Sequence, residues 1–378
     1  MYQRKLNFEK AGKESFFLWG AKRTGKNALL QACFPDALWF DLSLTVDYMR
    51  LNKNRALIRE SVLANPNRLV ILDEIQRIPE LMDEVLWLIE NKGTRFILCS
   101  SNPRKIIKSG HSLLEKIETQ HKLYPLTSTE VSDFKLLQSL NNGLLPEYYN
   151  SLNVKRKHAG YINDYLHDTI SSELKIRKLQ LFNRFLEMAA QNNGGLVNNA
   201  AIAAELGTYP LNIKEYYYIL KDTLMGYFVP AFQKKPKRKV FTSPKFYFFD
   251  IGIVNALCNH ERIEYGGTRF EQSLKHFICQ ELHAHSHYSG QNYPISYWRT
   301  VAHLEVDFVL GNPTVAIAVK GTNITNEMPF RALTALSEEY RLKKQILITN
   351  DPYPQQNGKV QLLPWKNFLQ QLWNGDII

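Results

Sequence analysis

The stretch Gly20-Ala21-Lys22-Arg23-Thr24-Gly25-Lys26-Asn27 decides the fold of the first part of this chain. It matches the phosphate-binding pattern G-x-x-x-x-G-K-[ST] at every fixed position except the last, where Asn27 replaces serine or threonine. The apolar residues 15–19 before it predict a buried strand, and residues 27–32 after it predict the start of a helix. The stretch therefore predicts a phosphate-binding loop between a strand and a helix.

The residue types in this loop suit a phosphate ligand. Glycines let backbone N–H groups turn towards an anion, and the N-terminus of a helix adds partial positive charge. Lys26 would reach the β- and γ-phosphates of a nucleotide, and Asn27 would lie where a hydroxyl normally binds magnesium. An amide oxygen also binds hard cations. We predict that residues 20–27 bind ATP with Mg²⁺; a glycine-rich turn without a ligand is the alternative.

A second segment, Leu69-Val70-Ile71-Leu72-Asp73-Glu74, is an apolar strand that ends in two carboxylates. A continuous apolar run is typical of a central strand in a parallel sheet, which is buried on both faces. Asp73 would hold the magnesium together with Asn27, and Glu74 would polarise the attacking water. Asp73 and Glu74 are therefore the predicted catalytic residues, and Asn27 and Asp73 the predicted metal ligands.

A third predicted strand, residues 95–99, is followed by polar residues. In ATPases of this architecture a polar residue at the end of such a strand senses the γ-phosphate. Ser101 and Asn102 are the candidates for this role. The alternative is that they cap the helix that follows, because serine and asparagine are favoured at helix N-termini.

Composition limits the class of protein. The chain has 378 residues, which predicts two or three domains, and a net charge of +11, which favours an anionic partner such as nucleic acid. Its four cysteines are scattered, without a C-x-x-C pair, as expected in a reducing compartment. No apolar run approaches the length of a membrane span. We expect a cytoplasmic protein with no membrane partner.

The order of predicted elements divides the chain into three regions. Residues 1–126 alternate strand and helix, which predicts a parallel α/β sheet with helices on both sides. Residues 127–245 are predicted to be helical and to contain a winged helix. Residues 246–378 predict a further α/β domain. The winged helix would have two helices, 197–207 and 211–222, and two wing strands, 227–232 and 239–241.

Two features of the later regions have open alternatives. The basic run 234–239, at the tip of the predicted wing, would contact a DNA backbone, with Lys214 on the second helix. Alternatively the run is a solvated hairpin tip, and Tyr216, Tyr217 and Tyr218 are core residues. The spacing of His283, His285 and His287 suits either a metal site or an exposed helix end, and we expect the latter.

The order of these pieces resembles a family of bacterial and archaeal AAA-type ATP-binding proteins with a C-terminal domain of unknown function. The resemblance covers nearly the whole chain. The resemblance rests on the stretches 17–26, 73–76, 89–93, 161–165 and 244–250, together with Glu305-Val306-Asp307-Phe308. It implies that the C-terminal domain is similar to a restriction-endonuclease fold. A second copy of the chain is a further candidate partner, although the sequence does not fix the oligomeric state.

The resemblance also implies site residues, with departures. In the nuclease-like domain Glu271, Asp307 and Lys320 match a magnesium-dependent site, but Ala318 stands where a glutamate is expected. Glu305, on the same strand as Asp307, is a candidate to compensate. In the ATPase domain Arg104 fits the family pattern and joins the sensor candidates, whereas residues 114–118 lack the expected Gly-Arg element.

We therefore expect an AAA-type ATPase that binds ATP with Mg²⁺ and couples hydrolysis to a nucleic-acid- or protein-binding C-terminal region. Two alternatives remain. The chain is a nucleotide-binding regulator or scaffold that does not hydrolyse ATP, for which Asn27 is the discriminating residue. The second alternative is that the chain is a metal-dependent nuclease, for which Ala318 is the discriminating residue.

Overall fold

The structure, a computed structural model, describes residues 2–8, 14–66, 68–171, 176–234, 237–321 and 328–378. The chain divides into two compact units. One contains residues 2–126 together with 218–225, and the other contains residues 127–217 and 226–378. A parallel sheet comes first, then helices, then a second sheet with its own helices, so the predicted mixed α/β fold is confirmed.

The first unit is built on a five-stranded parallel sheet with the strand order β2-β3-β4-β1-β5. Strands β1, β3 and β4 are mainly apolar and buried, as expected for central strands of a sheet covered on both faces, whereas β2 is mostly half-buried. The order brings the carboxyl ends of β1, β3 and β4 together at one edge. The strands are β1 (Phe16–Trp19), β2 (Leu38–Asp41), β3 (Val70–Asp73), β4 (Phe96–Ser100) and β5 (Gln120–Lys122).

Helices connect these strands, as short crossovers between parallel strands require. Their apolar sides join Phe17, Leu72 and Leu98 in one hydrophobic core, against which Leu224 also packs. The helices are α1 (Lys26–Cys33), α2 (Thr45–Lys53), α3 (Ala56–Ala64), α4 (Leu81–Lys92), α5 (Pro103–Ser109) and α6 (Leu113–Lys116).

The second unit begins with helices. They are α7 (Leu136–Asn142), α8 (Val154–Asp164), a π-helical segment (Tyr165–Ile170), α9 (Ile176–Gln191), α10 (Asn199–Leu206) and α11 (Pro210–Asp222). Asn198 caps α10 with its side chain, and Gly207 ends it in the left-handed conformation. Residues 218–222 of α11 belong to the first unit. The two helices predicted in 197–222 are therefore present.

The strands after α11 differ from the prediction. Strand β6 (Gly226–Val229) pairs in antiparallel fashion with β7 (Lys245–Phe248). The predicted second wing strand, 239–241, is wrong, because Val240 forms only an isolated bridge to Thr300. Residues 245–248 are one lysine followed by three aromatic residues, all of them buried, and this burial selects them as the partner of β6.

The tyrosines of α11 divide between core and surface. Tyr216 and Tyr217 are buried, and their rings pack against Phe182, Phe185 and Phe246. Tyr218 is 42 % exposed. For Tyr216 and Tyr217 the core alternative is therefore correct.

The C-terminal sheet has six strands in the order β12-β13-β11-β10-β9-β8, with parallel pairs at β10–β11 and β11–β13. Its elements are α12 (Ile251–Leu257), α13 (Gly267–Tyr288), β8 (Ile295–Arg299), β9 (Glu305–Leu310), β10 (Val315–Val319), α14 (Met328–Glu339), β11 (Lys344–Thr349), β12 (Gln355–Asn357), β13 (Val360–Pro364) and α15 (Trp365–Asn374). Small side chains on the sheet, among them Ala316 and Ala318, form one core with Leu333 and Leu336 of α14.

The histidines of α13 do not form an exposed helix end. His285 is buried and bonds to the Tyr293 hydroxyl at 2.9 Å, whereas His283 and His287 are half-buried. The predicted exposed helix end is therefore wrong. No cluster of three or more His, Cys, Asp or Glu suited to a metal is found in the described part of the chain. Nor is any helix there both long and apolar enough to cross a membrane.

Candidate functional site

The loop between β1 and α1 has the backbone shape that its glycines allow. Gly25 lies in the left-handed region at φ 93°, immediately before α1. Arg23 also has a positive φ of 63° and is exposed, whereas Lys22 is half-buried. A Cβ on Gly20 would lie 2.9 Å from Thr24 Oγ1 and 3.0 Å from the Leu123 carbonyl oxygen. The glycines at both ends of the loop are therefore required by the fold.

A residue from the N-terminal segment braces this loop. Arg4 donates from Nη1 to the Thr24 carbonyl at 2.6 Å and from Nη2 to the Tyr124 carbonyl at 2.6 Å. Thr24 itself donates from Oγ1 to the Ala21 carbonyl at 2.8 Å. Arg4 was not among the predicted site residues, since a lone arginine far from the motif carries no local signal.

Lys26 points back into the site. Its Nζ donates to the Gly20 carbonyl at 2.9 Å and lies 3.8 Å from Glu74 Oε1. The side chain is only 5 % exposed, so this charge is largely removed from water. A buried ammonium that faces a carboxylate and a carbonyl can exchange those partners for phosphate oxygens.

Asp73, at the end of β3, lies beside Asn27. Burial and the charge of Glu74 raise the pKa of Asp73 to about 6, although Lys26 and a hydrogen bond from Asn27 act in the opposite direction. Asp73 is 2 % exposed, and its Oδ1 has no hydrogen-bond partner within the described residues. A buried carboxylate oxygen of this kind, next to an amide, suits Mg²⁺, so Asn27 and Asp73 fit the predicted metal ligands.

Glu74 follows directly and has the left-handed backbone conformation at φ 55°. Its carboxylate accepts hydrogen bonds from Ser101 Oγ at 2.6 Å and from the Gln76 amide. Burial acts to raise the pKa of Glu74. The charge of Lys26 and the hydrogen bonds from Ser101 and Gln76 outweigh this effect, so the pKa is lower than that of an ordinary glutamate. Glu74 is therefore held ionised, as a residue that accepts a proton from water must be.

The three sensor candidates each have a partner in the protein. Ser101 bonds to Glu74, across the ends of β3 and β4. Asn102 is the N-cap of α5, since its Oδ1 accepts from the Arg104 N–H at 3.2 Å. Arg104 is buried and donates from Nη1 to Asp222 at 2.7 Å. The capping alternative is therefore correct for Asn102, and Ser101 lies nearest to the predicted base.

Two further residues of the site were not predicted. Gln76 donates to Glu74, and Asp41, at the end of β2, is in register with Asp73 and contributes to its raised pKa. Gln76 had a signal, because it stands two residues after Glu74. Asp41 had a weaker one, namely a carboxylate at the end of a predicted strand.

A second cluster of charges lies in the C-terminal domain. Glu271 on α13 and Lys320 after β10 are joined at 3.0 Å, and Lys275 links Glu271 to Asp307. Glu271, Asp307 and Lys320 thus come together as the resemblance implied. Lys275 was not predicted, although its i, i+4 spacing from Glu271 was a signal. Glu305 does not compensate for Ala318, because it pairs with Lys245 and Arg299.

The basic run 234–239 is partly engaged within the chain. Arg238 pairs with Glu339 at 2.8 Å and with Glu338, both on α14. The described lysines of the run, Lys234, Lys237 and Lys239, are exposed, and residues 235 and 236 lie outside the described residues. Arg238 therefore holds this segment against α14, whereas the positive charges of the three lysines are exposed to solvent.

Three family models match the chain in sequence. Residues 12–132 match the model described as "AAA domain", and residues 133–264 match "Domain of unknown function (DUF8612)". Residues 270–368 match "Domain of unknown function (DUF4143)". The first unit, with its phosphate loop and paired carboxylates on a parallel sheet, is therefore an AAA-type ATP-binding domain. A search of curated proteins found no match.

Two solved structures are distantly similar. The Aeropyrum pernix ORC1 protein in complex with DNA has 11 % identity and a TM-score of 0.28, over 65 % of this chain and 86 % of that one. A signal transduction ATPase with numerous domains, carrying a tetratricopeptide repeat sensor, from Pyrococcus horikoshii has 14 % identity and a TM-score of 0.24. The match covers 77 % of this chain and 48 % of that protein, so the chain spans about half its length. At these TM-scores neither structure bears on the function of this chain.

Proposed function

We propose that this chain hydrolyses ATP in the presence of magnesium and that the nucleotide state controls binding by residues 127–378. Lys26 would hold the phosphates, Asn27 and Asp73 the metal, and Glu74 would accept the proton from water. Bound magnesium would offset the charge of the phosphates. The observation that carries the proposal is the buried Asp73 Oδ1, without a partner among the described residues, beside Asn27 and an ionised Glu74.

The contacts of the site support two states of Glu74. In the structure its carboxylate is held by Ser101, Gln76 and Lys26. Phosphate oxygens would compete with it for Lys26, since both are anionic acceptors of the same ammonium. Loss of the lysine would leave Glu74 with its two neutral donors and a higher proton affinity. Nucleotide binding would thus make Glu74 a stronger base.

The test is phosphate release from ATP by the purified chain with Mg²⁺, measured beside ATP binding. We expect turnover in the wild type, none in Lys26→Ala, and ATP binding without turnover in Glu74→Gln. A wild type that does not bind ATP would overturn the whole proposal. A wild type that binds ATP, with phosphate release no higher than that of Glu74→Gln, would overturn hydrolysis alone.

One observation favours the alternative of a regulator that binds ATP without hydrolysis. The Asn27 side chain donates a hydrogen bond to Asp73. This bond engages the carboxylate that would otherwise accept the metal or its water, and a serine or threonine hydroxyl is the usual ligand at position 27. Asn27→Thr discriminates: turnover that appears only in this variant identifies a natural regulator.

DNA is the partner that we propose for the middle region, through a winged helix. Lys214 on α11 and the exposed Lys234, Lys237 and Lys239 present positive charge, in a chain with a net charge of +11.

The salt dependence of binding tests this proposal. Each lysine that contacts a DNA phosphate displaces about one counterion, so removing that lysine reduces the slope of log affinity against log salt by about one. We expect Lys237→Ala/Lys239→Ala to weaken duplex binding in fluorescence anisotropy and to reduce the salt slope by about two. The control is Lys53→Ala/Lys359→Ala, two exposed lysines elsewhere; equal effects in both pairs would contradict the proposal.

A further inference from the structure

The charge cluster of the C-terminal domain contains two carboxylates and a lysine that lies between them. Lys275 Nζ is 3.2 Å from Glu271 Oε1 and 3.1 Å from Asp307 Oδ1. The Asp307 side chain is 6 % exposed and that of Glu271 15 %. An ammonium thus stands where two neighbouring carboxylates would otherwise share a divalent cation.

A β-bulge brings Asp307 to this cluster. Strand β8 pairs Ser296 with Val309 and Trp298 with Val306. The two paired residues are two positions apart on β8 but three positions apart on β9, so β9 contains one extra residue here. The extra residue of β9 lies between Val306 and Val309, which therefore both join the core formed with α14. Bulges re-aim side chains in this way, and here Asp307 is released from that core.

Three of the four carboxylate oxygens of the cluster accept a hydrogen bond, whereas the buried Asp307 Oδ1 accepts none among the described residues and has an ion pair instead. Glu271 Oε1 accepts from Lys320 and is ion-paired with Lys275, and Glu271 Oε2 accepts from the Gly321 N–H at 3.4 Å. Asp307 Oδ1 is paired with Lys275, and Asp307 Oδ2 accepts from the Val319 N–H at 2.8 Å. The charge on Asp307 Oδ1 is therefore compensated by the Lys275 ammonium.

Within the residues that the structure describes, no third carboxylate joins the Glu271–Asp307 pair. Ala318, where the resemblance implies a glutamate, is 2 % exposed and lies in the hydrophobic core with Val306 and Leu347. Glu305 is engaged by Lys245 and Arg299. A magnesium ion prefers near-octahedral oxygen ligands and gives up water reluctantly, so two occupied carboxylates do not fit it.

We propose that the Lys275 ammonium is a built-in replacement for the divalent cation at the Glu271–Asp307 pair. The C-terminal domain then keeps its charged cluster without metal and does not cleave phosphodiesters. The same geometry predicts that a neutral residue at position 275 leaves Asp307 Oδ1 without its ion pair, beside Glu271, which keeps its contact with Lys320. Such a site takes up a hard divalent cation, because carboxylates suit Mn²⁺ and Mg²⁺.

The experiment is a titration of the full chain with Mn²⁺, by calorimetry, without nucleotide. Every arm carries Asp73→Asn, so that the ATP-binding domain contributes no site. We expect no Mn²⁺ binding by this parent, one equivalent per chain after Lys275→Met, and none again after Lys275→Met/Asp307→Asn. Lys359→Met, at an exposed lysine elsewhere, is the matched control and should bind none.

Thermal denaturation keeps the proposal testable if Lys275→Met folds poorly. The melting temperature of the parent should be the same in Mn²⁺ and in EDTA, whereas Mn²⁺ should raise that of Lys275→Met by mass action. Two results would overturn the proposal. One is Mn²⁺ binding by the parent that Asp307→Asn abolishes, and the other is a Lys275→Met variant that neither binds Mn²⁺ nor is stabilised by it.

Discussion

Ser101 Oγ donates a 2.6 Å hydrogen bond to the Glu74 carboxylate, across the carboxyl ends of two neighbouring parallel strands. A residue predicted as a sensor of phosphate thus contacts the residue predicted as the base. Together with Gln76 and Lys26, Ser101 lowers the pKa of Glu74 against the effect of burial.

Ser101→Ala should therefore alter the pH dependence of ATP hydrolysis. Without this donor the pKa of Glu74 rises, so the acid limb of the rate profile should move to higher pH, by about one unit for a bond worth about 1.4 kcal/mol. The measurement is the rate of phosphate release against pH. Ser109→Ala is the control, because the Ser109 hydroxyl donates to the Ile106 carbonyl within the same helix, away from Glu74; the two profiles should differ.

Gly25→Ala should abolish ATP binding at a modest cost in stability. Its φ of 93° disfavours any side chain, and a left-handed alanine costs on the order of 1 kcal/mol. Gly207→Ala, at the left-handed end of α10, should cost a similar stability and leave ATP affinity unchanged. Thermal shift with and without ATP measures both effects. Equal loss of the ATP-dependent shift in both variants would show that Gly25 acts only through stability.

Arg4→Ala should weaken ATP binding by loosening the phosphate loop. It removes the two 2.6 Å bonds that join Thr24 to Tyr124, and bonds from a charged donor contribute about 1.5–3 kcal/mol each at most. We expect an affinity loss of about tenfold in calorimetry, because part of this energy is recovered through water. Gln3→Ala, at an exposed neighbour, should have no effect. An Arg4→Ala variant with wild-type affinity would show that the loop is rigid without its brace.

The buried carboxyl group of Glu281 should make the free energy of unfolding depend on pH. This buried carboxylate accepts from the Ser128 N–H at 2.6 Å and from Trp373 Nε1 at 2.7 Å, yet burial raises its pKa to about 7. A raised pKa means that the folded state binds the proton more tightly than the unfolded state. This contribution to stability is complete below about pH 4.5 and is lost as the pH rises through about 7, by up to about 3 kcal/mol.

The measurement is the urea midpoint of the wild type and of Glu281→Gln between about pH 5 and about pH 8. We expect the midpoint of the wild type to fall more steeply with pH than that of the variant. Asp73 and Asp250, whose pKa values burial raises to about 6, act in the same direction in both proteins. They therefore cancel in the difference, and parallel curves would contradict the assignment to Glu281.

Much of the ATP-binding domain was predictable because its signals are local. Residues 15–27 and 69–74 each combine a short apolar strand with the loop or polar residues that follow it, and the structure places both at the same edge of the sheet. The errors concern pairing over longer distances. The wing strand 239–241 was wrong because hydrophobicity alone does not say which strand β6 will join, and burial selected 245–248.

The charged clusters show the same limit more sharply. Glu271, Asp307 and Lys320 were proposed from a resemblance, but Lys275 was not, although it stands between the two carboxylates. Its contact with Asp307 joins a helix to a strand across 32 residues of chain, and it depends on a bulge that no local pattern announces. The sequence thus indicates which charged residues belong to a site, but it does not indicate which of them form ion pairs.

The sequence by itself determined the phosphate loop, the paired carboxylates and the α/β class, because glycine conformation and apolar periodicity act within a few residues. Only the tertiary structure decided that Arg4 braces the loop, that Ser101 holds Glu74 and that Lys275 neutralises Glu271 and Asp307. The physical reason is that charges and hydrogen-bond donors act over a few ångströms in space. Which groups meet at that range depends on how strands pair and helices pack, which is a property of the whole chain.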